Sequence, residues 1–134
     1  MRRGAAVAAL ALALAAVQCK DEPAGPTSGN LSVHLSNVGS NDRAMLLQLA
    51  GTDTTARIDT VLAPSGSGYR VFVQRQTSTR WRVIVVGNLS NGALLTIGVP
   101  DKSRTLAYTG SILDVADIAF AAVPPGSRAL TVAP

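Results

Sequence analysis

Apolar and polar residues begin to alternate at Leu31 and do so again, in short bursts, to the end of the chain. Leu31, Val33 and Leu35 alternate with Ser32, His34 and Ser36, the period-two pattern of a strand with one buried face. The loop Asn37 to Arg43 follows, then a continuous apolar run from Ala44 to Ala50, interrupted only by Gln48 and read as a strand buried on both faces. Ile58 to Leu62 predicts a short strand, closed by the turn residues Pro64-Ser65-Gly66-Ser67-Gly68. The best hairpin pairs Tyr69 to Gln74 with Arg80 to Val86, across a turn at Gln76-Thr77-Ser78-Thr79. Alternation places Tyr69, Val71 and Val73 on one face of its first arm, and Trp81, Val83 and Val85 on one face of the second. Both sets are assigned inward.

Asn88 to Gly92 reads as a further turn and Ala93 to Val99 as a strand halted by Pro100-Asp101. Leu106 to Leu113 is a further strand candidate, and Val115 to Ala122 fits either a strand or a helical turn. After Pro124-Pro125-Gly126, Ala129 to Val132 is the last strand. Seven to eight short strands without an amphipathic helix predict an all-β, antiparallel β-sandwich over residues 31–134.

The first eighteen residues follow another pattern. Met1-Arg2-Arg3 is a short positive segment, and Gly4 to Val17 is an uncharged run of fourteen residues, too short for the roughly 20 a membrane-spanning helix needs. Residues 1–18 therefore read as a secretory signal, helical while it is present. Polarity returns at Gln18-Cys19-Lys20-Asp21-Glu22, and Cys19 is the single cysteine of the chain. Residues 19–30 combine that cysteine with a Pro-, Gly- and Ser-containing stretch that reads as a flexible tether.

Composition adjusts this picture in two ways. The chain is 47% hydrophobic and 15% charged, which excludes a disordered polar tail for most of its length. The formal charge of +4 includes Arg2 and Arg3; without the signal, ten basic residues stand against eight acidic, about +2. That balance gives no argument for nucleic acid as a partner. The one local concentration is Arg70, Arg75, Arg80 and Arg82, all on the predicted hairpin. It reads either as a patch for an acidic partner or glycan, or as a solvated face that keeps the sheet from pairing at its edge.

Catalytic chemistry finds little material. His34 is the only histidine and lies opposite the apolar face of its strand, so no zinc site can be assembled with a second histidine or cysteine. Gly66-Ser67-Gly68 reads as a turn, not a nucleophile elbow. The domain's carboxylates are Asp42, Asp53, Asp59, Asp101, Asp114 and Asp117, with no dense pair for glycoside hydrolysis and no calcium-loop spacing around Asp114 and Asp117. The expectation is a non-catalytic protein without cofactor or metal.

Two resemblances extend this reading. Ala16-Val17-Gln18-Cys19 resembles the lipobox of bacterial lipoproteins, although Gln18 stands where that family carries Gly, Ala or Ser. It implies a lipidated Cys19 as the mature N-terminus and a domain tethered to the cell envelope through its lipid. Cleavage after Ala15, giving a secreted chain with a free thiol, is the alternative. The order MLLQLAG, YRVFV and WRVIVVGNLSNGALLTIGVPD, with a later VAD, resembles cohesin-like and carbohydrate-binding-module-like sandwiches of exported bacterial proteins. That resemblance implies an immunoglobulin-like or jelly-roll sandwich that binds proteins or sugars. The expected function is thus an envelope-anchored or secreted binding module, with an envelope protein or a glycan as partner; a carbohydrate-binding module and a hydrolase accessory domain are the alternatives.

Overall fold

The computed structural model describes residues 25–134, and over that span the chain is the expected all-β, antiparallel sandwich. Residues 1–24, on which the expected signal, Cys19 and the first part of the expected tether fall, lie outside the described residues. Among the described residues there are nine strands: β1 (Gly29–Ser36), β2 (Asp42–Gly51), β3 (Thr60–Leu62), β4 (Arg70–Thr77), β5 (Arg80–Val86), β6 (Gly92–Val99), β7 (Tyr108–Asp117), β8 (Ala122–Val123) and β9 (Ala129–Ala133). One sheet has the order β3-β6-β1-β9 and the other β4-β5-β2-β7-β8. The stretch from Val115 to Ala122 that fitted two readings divides into the end of β7, a turn, and the two-residue β8. Pairing of β1 starts at Gly29, opposite Val99.

The core forms where the two inner faces meet, and it is chiefly Val, Leu and Ile. Leu31, Val33 and Leu35 of β1 face Met45, Leu47 and Leu49 of β2 and Val83 and Val85 of β5, all essentially inaccessible. The run in β2 is not buried on both faces as expected. Its residues alternate, with Ala44, Leu46, Gln48 and Ala50 only half-buried on the outer face. In β6 the opposite departure occurs: consecutive Leu94 and Leu95 are both buried. A bulge opposite Val33 and His34 adds one residue to β6, and this lets both leucines point inward.

Polar contacts close both ends of the sandwich. At one end, Gly51 N–H donates to the Thr79 carbonyl, Ile58 N–H to Ser78, and the Tyr108 hydroxyl to the Arg57 carbonyl at 2.8 Å. Gly51 must be glycine there, because a methyl group would collide with the Ala56 carbonyl oxygen. At the other end Asp42, at the start of β2, holds Arg128 just before β9. The Arg128 Nε–H donates to Asp42 Oδ2 at 2.5 Å and Nη2–H to Oδ1 at 2.9 Å, a two-pronged ion pair. Gly39 N–H donates a third bond to the same carboxylate, and Arg128 Nη1 reaches the carbonyls of Pro124 and Pro125. Asp42 is the one buried charged residue of the described chain, and the bridge ties one sheet to the other.

Candidate functional site

The two outer faces differ in chemistry. On the four-stranded sheet, Ser32 and His34 of β1 neighbour Thr96 and Ala93 of β6 and Thr131 of β9, so the face is mostly small and hydroxylic. His34, placed opposite the apolar face by alternation, sits there as expected, half-buried between Ala93 and Thr131.

The outer face of the five-stranded sheet carries large apolar groups instead. Phe72 of β4 lies opposite Ile84 of β5, Ile84 opposite Leu46 of β2, and Leu46 opposite Asp114 of β7. Phe72 is 57% exposed and Ile84 42%, so this row is a surface feature and not a second core. One step along the strands, Gln74, Arg82, Gln48 and Ser111 form the next row, and Arg80 lies beyond it. On the other side Arg70 stands opposite Val86. A shallow depression of about 250 Å³ lies between Leu46, Phe72, Gln74, Arg82 and Ile84.

Three of the four hairpin arginines therefore share one face. Arg70, Arg80 and Arg82 share the face of the Phe72–Ile84–Leu46 row, all exposed; Arg70 and Arg82 border the row and Arg80 lies one step further along β5. Arg75 does not join them, because it lies opposite the inward-facing Trp81 and so belongs to the other side of β4. No described carboxylate forms an ion pair with any of the four; the described acids that hold an arginine are Asp42 with Arg128 and Asp53 with Arg104. Sequence reasoning singled out the arginines but passed over Phe72 and Ile84. Their signal was present, since both fall out of phase with Val71, Val73, Val83 and Val85.

Charge at the sandwich ends is structural. Asp53 accepts from Thr55 N–H, Thr55 Oγ1–H and Ala56 N–H and pairs with Arg104, and the Arg104 guanidinium holds its carboxyl far below the usual carboxylate range. Asp117 accepts from Ala119 and Ala121 N–H and so shapes the turn before β8. Among the described residues no three His, Cys, Asp or Glu side chains gather as a metal site. Gly66-Ser67-Gly68 is a turn, as read from the sequence: Ser67 N–H donates to the Pro64 carbonyl and both glycines have positive φ.

The aromatic residues with a polar handle all turn inward. Trp81 is 8% exposed and Tyr108 5%, while Tyr69 packs on the core and bonds Ser90 through its hydroxyl. The chain matches no family model, no curated protein and no solved structure.

If the arginines of the hairpin act only at the surface, replacing them leaves the fold intact. Arg80→Gln with Arg82→Gln is expected to change unfolding free energy by no more than about 0.5 kcal/mol per site, because both are exposed and have no acidic partner among the described residues. Urea unfolding followed by tryptophan fluorescence reads this directly. A loss of several kcal/mol would place these side chains in the architecture of the sheet.

Proposed function

We propose that the protein is a non-catalytic binding module of the bacterial cell envelope, held there by lipid on Cys19, which engages an acidic protein surface through the outer face of its five-stranded sheet. The observation that carries this reading is the coincidence on one face of an exposed apolar row, Phe72–Ile84–Leu46, with three exposed arginines that have no described acidic partner. Apolar groups supply the contact area, and arginine is the side chain best suited to pair a carboxylate in a partly dried interface. The face belongs to the five-stranded sheet, whereas β1, the first strand after the tether, belongs to the other sheet.

A sugar-binding role draws less support. Sugar faces stack on exposed rings with polar groups beside them, and Trp81, Tyr108 and Tyr69 are withdrawn from the surface. Of the two exposed rings, Phe120 lies in the turn before β8, away from the hairpin arginines, and Phe72 sits within the apolar row. The resemblance to cohesin-like and carbohydrate-binding-module-like sandwiches accommodates either partner class, and the distribution of side chains favours the protein.

Two experiments test the two halves of this reading. Wild-type chain made in a bacterial host is expected in the membrane fraction, with an N-terminal mass raised by lipid on Cys19; Cys19→Ser is expected in the soluble exported fraction or as uncut precursor. Soluble wild type beginning at Ala16 would contradict the anchor. For the face, the tethered chain is presented to envelope extracts and to a glycan array. Retained protein that is lost with Arg80→Gln/Arg82→Gln supports the reading, and glycan binding that survives the same changes overturns it.

A further inference from the structure

A sheet edge exposes unpaired N–H and C=O groups and templates further pairing unless it is shortened, bent, covered or guarded by charged side chains. Three of the four edges here are managed in that way. β3 has three residues and β8 two, and β9 packs beside β7 of the opposite sheet. β4 is neither shortened nor covered, and its only guards are Arg70 and Arg75, on either side of an apolar Val71-Phe72-Val73 stretch. The strand is eight residues long, lacks proline, and is exposed at every position but the half-buried Val71, with Phe72 at 57% and Val73 at 47%. Its bulge comes only between Arg75 and Thr77, so the run from Arg70 to Arg75 is regular and open along one edge.

We infer that this edge pairs with the β4 edge of a second copy of the chain, antiparallel, with Phe72 opposite Phe72 on the two-fold axis. The inference goes beyond the proposed binding role and does not depend on it. What points to a second copy is the self-complementarity of Arg70-Val71-Phe72-Val73-Gln74, which reads polar, Val, Phe, Val, polar in both directions. In this register Val71 lies opposite Val73 of the second copy and Arg70 opposite its Gln74. Both apolar pairs match and no arginine faces another. A shift of one residue would set Arg70 against Arg75 of the second copy in one direction and against Val73 in the other, and either would turn the two apolar rows to opposite faces. A shift to a Val73 axis would set Phe72 against Gln74 and Val71 against Arg75. Each loses what the Phe72 axis gains.

The pairing has a structural consequence. Opposed residues share a face, so the two Phe72–Ile84–Leu46 rows join end to end across the axis into one apolar band on a ten-stranded sheet, five strands coming from each copy. Arg70 and Arg82 of both copies border it. The contact is small for a protein interface, so association is expected to be reversible, in the micromolar range of about 1–100 μM.

Disulfide trapping reads the register. In full-length chain carrying Cys19→Ser, an added cysteine is the only one. Directly opposed residues of an antiparallel pair lie about 4.5–5.5 Å apart at Cα, within reach of a disulfide. Phe72→Cys is expected to form a disulfide-linked dimer on mild oxidation. Arg70→Cys and Gln74→Cys are each expected to stay monomeric alone, their like positions being roughly 13 Å or more apart, and to cross-link when mixed. Phe72→Arg, which sets two cations on the axis at an already exposed site, should weaken self-association of the Cys19→Ser chain in sedimentation by about a hundredfold without changing its unfolding midpoint. Three results would overturn the inference: a chain monomeric at about 100 μM with Phe72→Cys uncross-linked, dimers from Gln74→Cys alone, or Phe72→Cys trapped on a different protein.

Discussion

Trp81→Ala is expected to destabilise the domain by about 3–5 kcal/mol, the range for removing a buried aromatic side chain and leaving a cavity. Trp81 is 8% exposed, neighbours Leu49 across β2, and belongs to the single core cluster between the two sheets. Against a total of about 5–15 kcal/mol for a domain, that loss brings the protein close to unfolding at ordinary temperature. Trp81→Phe separates packing from polarity. The indole Nε1–H is buried and has no hydrogen-bond partner, so exchanging it for a phenyl ring gives up volume but removes a dry donor. Its expected cost is below about 1.5 kcal/mol. Chemical denaturation, read by far-UV circular dichroism because the lone tryptophan is lost, checks both values. A silent Trp81→Ala would show that the ring serves a surface and not the core.

Arg128→Ala is the second large effect, again about 3–5 kcal/mol, because it leaves Asp42 buried without its partner. The Arg128 hydrogen bonds, ahead of the opposing effect of burial, hold the Asp42 carboxyl below its ordinary value of 3.8. The folded state therefore binds the proton less readily than the unfolded chain. The stabilisation this provides is complete above the ordinary carboxylate range and is lost as pH falls through the lowered value of the folded state. Wild-type stability should fall on acidification, and Asp42→Asn should flatten that acid limb while lowering stability at neutral pH. Asp53 and Asp101 are also lowered but are solvent-facing, so their share should shrink with added salt and that of Asp42 should persist. An acid limb unchanged by Asp42→Asn would contradict this account of the bridge.

Much of this fold was legible because alternation is a local signal. It placed β1, the β4–β5 hairpin and the inward course of Trp81, and proline and glycine clusters marked where strands stop. Bulges erase the same signal. Leu94 and Leu95 share a face only because β6 holds one residue more than β1, and no composition rule marks that residue. The Asp42–Arg128 bridge was illegible for a different reason. Its partners are 86 residues apart, and nothing in either neighbourhood distinguishes them from other surface charges until the two sheets close. The arginines were visible as a cluster in sequence, but membership of one hairpin is not membership of one face. Strand parity separates Arg75 from Arg70, and it also reveals Phe72 and Ile84 as outward residues.

The Phe72–Ile84–Leu46 row with its arginines is the surface proposed to meet a partner. Site-specific photo-cross-linking in living cells tests it most directly, with a photoreactive residue at Ile84 on that face and at His34 on the hydroxylic face of the other sheet. The account predicts adducts from position 84 to a protein other than the chain itself, lost when Arg80 and Arg82 are changed to Glu, and none from position 34. Equal labelling from both positions, or adducts at 84 that survive the charge reversal, would contradict it.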